Sequence, residues 1–162
     1  GCSAAADRHE ALVLRPKTSS DDATPAGNGV AARVLIRLGY LLGETRYSDA
    51  AEATLRSAHA AIERYLHGHG TLLMALEEFT SPPWILVLRG ESDELDVWRS
   101  EVDKLYDPHR MIVAVPSDAK NLPAALAGKR ALGGTVAYVC RGMTCSPPVP
   151  TLAQLVRELR GQ

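Results

Sequence analysis

Cys140 and Cys145 are the closest-spaced reactive side chains in this sequence, with four residues between them and Gly142 among those four. Two thiols so placed can stay structural or free, form and exchange a disulfide, or ligate a metal. Arg141 beside them is able to favour a thiolate. The spacing is not the Cys-x-x-Cys of thioredoxin-type sites. A zinc site needs four ligands, and there is no second cysteine pair. Cys2, His67 or His109 would have to come from distant parts of the chain. Thr135 to Val139 reads as a buried strand running straight into this loop. That places the thiols at a strand's C-terminal end, where open parallel α/β sheets bind ligands.

Other residues are weaker candidates. His67-Gly68-His69 offers two imidazoles to a metal, or two charges to the end of a helix. His59 falls within a helical stretch and reads as a surface or packing residue. Asp21, Asp22 and Asn28 surround a Pro/Gly loop, Arg15 to Gly29, that leads into a helix. Asp22 or Asn28 either caps that helix or lines a sugar-hydroxyl or carboxylate site at the mouth of a helical barrel. Gly27-Asn28-Gly29 is only superficially a phosphate loop, since it follows no clear strand and lacks the P-loop lysine. The candidates are therefore Asp22 and Asn28 for substrate binding and Cys140 and Cys145 for redox chemistry. No metal and no cofactor is expected.

Composition narrows the classes. The chain has 162 residues, 46% of them hydrophobic and 23% charged, as in ordinary globular domains. A net charge of −1 gives no electrostatic case for nucleic acid or an anionic membrane. Aromatic residues are only 5%, so the core must be aliphatic and a base-stacking surface is not expected. No apolar run approaches the roughly 20 residues that span a bilayer. Gly1-Cys2-Ser3-Ala4-Ala5-Ala6 has no charged n-region or apolar h-region. It reads as an excised piece of a longer chain rather than a signal peptide or a lipidated cysteine. Three cysteines do not make a secreted scaffold, so the expected setting is reducing and cytoplasmic.

Periodicity supplies the elements that position these residues. Ala11 to Leu14 is a short apolar run. Val30, Val34, Leu38, Leu41 and Leu42 predict a helix ending at Gly43, with Arg33 and Arg37 on its wetter side. An alanine-rich helix from about Ser48 to Leu66 follows, linked by Gly43-Glu44-Thr45-Arg46 as an αα-hairpin. A third helix runs from about Thr71 to Phe79, before Pro82-Pro83 forces the chain extended. Trp84 to Leu88, Met111 to Val115 and Thr135 to Val139 predict three buried strands. A helix with Leu95, Trp98, Val102 and Leu105 follows the first, and one capped by Thr151 follows the last. A short helical turn is expected at Leu122 to Leu126. The fold class is α/β: residues 1–80 a helical portion, residues 81–162 a three-stranded parallel unit with right-handed crossovers.

Leu14-Arg15-Pro16-Lys17, Asp22 to Ala32, Tyr138-Val139-Cys140, Cys145-Ser146 and Pro148 resemble, in that order, the C-terminal part of a family. It is the large thioredoxin domain-containing proteins, with bacterial members and mammalian spermatogenesis-associated relatives. The family's form of the first loop is Asp-Gly-Ala-x-Pro-Ser-Gly-Asn-Ser. Here Asp22 directly precedes Ala23, Ala26 replaces the first serine and Gly29 the second, which removes hydroxyls. The resemblance implies an N-terminal thioredoxin-like domain and a six-hairpin α/α barrel similar to N-acylglucosamine 2-epimerase and glycosidases. It also implies a small C-terminal α/β piece. Residues 1–80 would then be the end of that barrel. On this basis the chain is expected to be a non-catalytic, structural C-terminal portion of a carbohydrate-active parent. Its partners would be the remainder of the parent chain, or a second copy. The alternative is a thiol-redox module using Cys140 and Cys145.

Overall fold

A computed structural model describes residues 18–161. Cys2, the Ala11–Leu14 run and Leu14-Arg15-Pro16-Lys17 lie outside them. The described residues form two compact units that meet in sequence between Pro82 and Pro83. Among them, no helix is long and apolar enough to cross a membrane.

The first unit is helical: α1 Gly27–Leu42, α2 Thr45–Arg64, a 3-10 turn Leu66–Gly68 and α3 Gly70–Thr80. Its core is Ala32, Ile36, Ala51, Leu55, Ala58, Ile62, Leu72 and Ala75. Four of these eight are alanines, so the backbones approach closely. Gly43 ends α1 in the left-handed conformation, as its position predicts. The link to α2 is shorter than the sequence predicts: Glu44 is the N-cap of α2, leaving only Gly43 and Glu44 between the helices. Gly29 sits at a close α1–α3 approach. A Cβ there would sit 2.9 Å from the Leu72 amide nitrogen and the Thr71 carbonyl carbon. Those are backbone atoms and cannot swing aside. Gly29→Ala is expected to destabilise this unit by about 1 to 2 kcal/mol, read as a lowered urea midpoint in helical circular dichroism.

Arg33 and Arg37 do not mark a wet side of α1. Both reach Glu78 of α3, which is 1% exposed, and tie the two helices together. Hydropathy alone assigns charged residues to water; an acidic partner 41 and 45 residues away reverses that assignment.

The second unit contains β1 Trp84–Gly90, α4 Ser92–Asp103, β2 Arg110–Pro116, α5 Ala124–Ala127, β3 Val136–Arg141, β4 Thr144–Cys145 and α6 Leu152–Arg160. β1 thus runs two residues beyond Leu88, to Gly90. Leu86 and Leu88 on one face of β1 join Trp98, Val102, Leu155 and Leu159 of α4 and α6 in a single core. Ile85 and Val87 on the other face are also buried. That is why β1 reads as an unbroken apolar run. Thr151 caps α6 by accepting the Gln154 N–H at 3.3 Å. Glu91 is the N-cap of α4.

The sheet is mixed and four-stranded, in the order β2-β1-β3-β4, rather than three-stranded and parallel. β1 and β2 are parallel around α4, but β3 runs antiparallel to β1 and pairs Arg89 with Val136. The cause lies in the connection after β2. A parallel return needs a crossover the length of the sheet, usually a helix. The segment from Ser117 to Thr135 holds only the four-residue α5. It leaves at Pro116, opposite Gly90, and re-enters at Val136, opposite Arg89, so it never leaves that end of the sheet.

Candidate functional site

The antiparallel β3 moves the cysteines. Cys140 pairs with Ile85 near the start of β1, so the thiols lie at the opposite end of the sheet from the carboxyl ends of β1 and β2. The ligand-site argument for parallel strands therefore does not apply to them. They form instead a hairpin. Arg141 pairs with Thr144, and Gly142-Met143 makes a two-residue turn. Gly142 has φ +60°, the left-handed first position that a type II′ turn demands. The next pair outward is Cys140 opposite Cys145. In a two-residue hairpin this is a non-hydrogen-bonded position, where facing side chains come closest. The sulfurs are bonded, and the Cα atoms lie 3.9 Å apart.

Cys140 is buried and Cys145 is exposed. Arg141 does not serve the sulfurs. Successive strand residues face opposite ways, and its guanidinium lies over the Trp84 ring, 5.1 Å from the centroid. What the arrangement can do is open and close one disulfide at a hairpin tip. The bond closes a loop of only six residues, so reduction is expected to cost the second unit about 2 kcal/mol. Trp84 and Trp98 both lie in that unit, and their fluorescence in urea with and without reductant gives the value.

The other candidate site is the loop before α1. Asp22 is exposed, and neither it nor Asn28 caps α1; the N-cap is Ala26, with no side-chain bond. Asn28 is buried within the first turn and donates from Nδ2 to the Thr18 carbonyl at 2.8 Å. The residue that organises the loop is Asp21. Its Oδ1 accepts from the Ala26 N–H and its Oδ2 from the Thr71 N–H, each at 2.7 Å. One carboxylate thus serves a backbone donor at the start of each of α1 and α3. Its own N–H donates to the Gly68 carbonyl at 2.7 Å. Burial pulls the Asp21 pKa up, but the two backbone N–H bonds and the nearby His69 hold it below the usual carboxylate range. A carboxylate so engaged is a poor general acid. A signal for Asp21 stood in the sequence: in the Asp-Gly-Ala pattern the aspartate is two residues before the alanine, which is the place of Asp21 and not of Asp22.

His69 belongs to the same cluster. Its Nδ1 lies 2.7 Å from the Tyr65 carbonyl, which only accepts, so Nδ1 carries the proton. Nε2 lies 3.4 Å from the Ser19 hydroxyl. His67 is exposed. Among the described residues, no three His, Cys, Asp or Glu side chains are grouped to hold a metal.

No family model matches the chain. The chain is similar to Spermatogenesis-associated protein 20 of Homo sapiens, 25% identical over 155 residues. The match covers 91% of this chain and 20% of that protein, so the chain spans about a fifth of the relative's length. The similarity supports a relation to that protein's family.

Proposed function

We propose that this chain is a non-catalytic, structural portion of a longer protein, and that its helical unit packs against further helices of that parent. One observation carries the reading. A groove of about 660 Å³ runs along α2 and α3, and its apolar floor includes Leu55, Ile62, Leu66, Leu73, Leu76 and Phe79. Leu66 and Leu76 are exposed there. Apolar surface gathered in a concave stripe marks an interaction site. The chain's share of its relative's length supplies the occupant, since four-fifths of such a protein lies elsewhere. Without those helices the groove would recruit a second copy. Sedimentation of the chain should show concentration-dependent self-association that Leu66→Glu with Leu76→Glu abolishes. A wild-type chain that stays monomeric and binds no apolar dye would defeat the reading. A carbohydrate-active parent, with Asp22 and Asn28 on one rim of its site, extends the proposal. Calorimetry should then detect sugar binding by the parent and none by this chain.

The second reading is a thiol module. It is favoured by the bonded pair Cys140–Cys145, of which Cys145 is an exposed residue. A dithiol of the parent's thioredoxin-like domain would give two electrons and two protons, opening the hairpin disulfide and becoming a disulfide itself. Thiol titration across a redox gradient tests it. A disulfide that stays closed throughout the range of cellular dithiols removes it.

A further inference from the structure

Arg89 is the penultimate residue of β1, and it is 5% exposed. Strand alternation puts it on the face of Ile85 and Val87. It stands at the end of the sheet where Gly90 pairs with Pro116 of the parallel β2. An arginine keeps its charge when buried, so its N–H groups need acceptors. Among the described residues, Arg89 Nε and Nη1 have none. Arg110, whose side chain is 6% exposed, is provided for in part, although its Nε also lacks a partner. Its Nη1 donates to the Leu105 carbonyl at 3.0 Å and its Nη2 lies 3.3 Å from Asp107.

Arg89 lines a cavity of about 570 Å³ together with Ser117, Asn121, Leu122, Ala127 and Arg130. None of its lining residues is acidic. The carboxylate of Glu91 is engaged by the Ser117 hydroxyl. The cavity thus offers two permanent cations, polar Ser117 and Asn121, and a short apolar wall. It lies at the carboxyl ends of β1 and β2, where α/β sheets hold ligands. We propose that it binds a small organic anion. Its carboxylate or phosphate group is taken by Arg89 and Arg130, and its body rests against Leu122 and Ala127. Guanidinium groups pair carboxylate and phosphate through charge-assisted hydrogen bonds.

The test is a titration of the full ¹⁵N-labelled chain with inorganic phosphate, with butyrate, and with sodium chloride at matched ionic strength. Saturable shifts of the Arg89 Nε–H and of backbone amides in residues 117–131 are expected with phosphate or butyrate, and which of the two acts identifies the anion. Arg89→Met should weaken that binding at least about ten-fold, the loss of a charge-assisted hydrogen bond. Arg130→Gln, at an exposed position, should weaken it several-fold. Shifts no different from those with chloride, or unchanged affinity in both variants, would overturn the proposal. Slowed water exchange of the Arg89 Nε–H on binding gives the same decision without a variant.

Discussion

Glu78→Gln is expected to destabilise the helical unit by about 3 kcal/mol, because it leaves two guanidinium groups facing a neutral side chain. Arg33 donates to Glu78 Oε1 from Nε at 3.1 Å and from Nη2 at 2.6 Å. Arg37 donates from Nε to Oε2 at 2.9 Å and from Nη2 to Oε1 at 2.6 Å. Four charge-assisted bonds converge on one carboxylate. Burial opposes its ionisation, but Arg37 and Arg33 outweigh that and hold the Glu78 pKa below the ordinary value of 4.5. The same bonds raise the pKa of Arg37. The arginines are each about a quarter exposed, so the expected loss sits at the low end for breaking a buried pair. Both tryptophans lie in the other unit, so helical circular dichroism in urea is the readout. An unchanged midpoint would mean that the triad contributes nothing net. Replacing all three residues by apolar ones of similar size should cost far less than Glu78→Gln alone, since no charge is then left unpaired.

Asp21→Ala should cost about 2 to 3 kcal/mol, from the loss of two bonds between a carboxylate and backbone N–H groups. It frees the loop from the starts of α1 and α3 together, so the effect should appear as faster hydrogen exchange at Ala26 and Thr71. Asp21 also gives stability an acid dependence. Its folded pKa lies below the ordinary value of 3.8, so the unfolded chain takes up the proton first. The stabilisation is complete above 3.8 and is lost as pH falls through the depressed folded value. Glu78 acts in the same direction, starting from 4.5. Asp21→Asn should flatten the acid limb of the wild-type profile. An acid limb identical in the two proteins would show that Asp21 is not ionised in the clamp.

Much of the fold was legible. Apolar residues at spacings of three and four located α1, α4 and α6, alanine content located α2, Pro82-Pro83 bounded α3, and unbroken apolar runs located β1, β2 and β3. Gly43 and Thr151 marked their helix ends because their roles are local. What was not legible depended on distant pairing. Nothing between Pro116 and Thr135 states which edge of β1 the chain will choose; only the short α5 hints that no full crossover exists. The hairpin was within reach. Cys140-Arg141-Gly142-Met143-Thr144-Cys145 has glycine at the first of two central positions, the type II′ signal. Ending the strand at Val139 hid it, and the cysteines looked like a loop. Asp21 and Glu78 were missed for the same reason. Glu78 has its partners 41 and 45 residues away, and Asp21 has one of its two 50 residues away. Arg89 was hidden by its neighbours, since one charge at the end of a strand reads as its solvent end.

The structural reading rests on the α2–α3 groove being a covered surface in the parent protein. Hydroxyl-radical footprinting of the dilute chain and of the parent measures this directly. Leu66, Leu76 and Phe79 should oxidise readily in the dilute chain and several-fold more slowly in the parent. Leu72, buried in the same unit, should stay protected in both and shows that the unit is folded. Equal oxidation of the groove residues in the two proteins, with Leu72 protected, would contradict the reading.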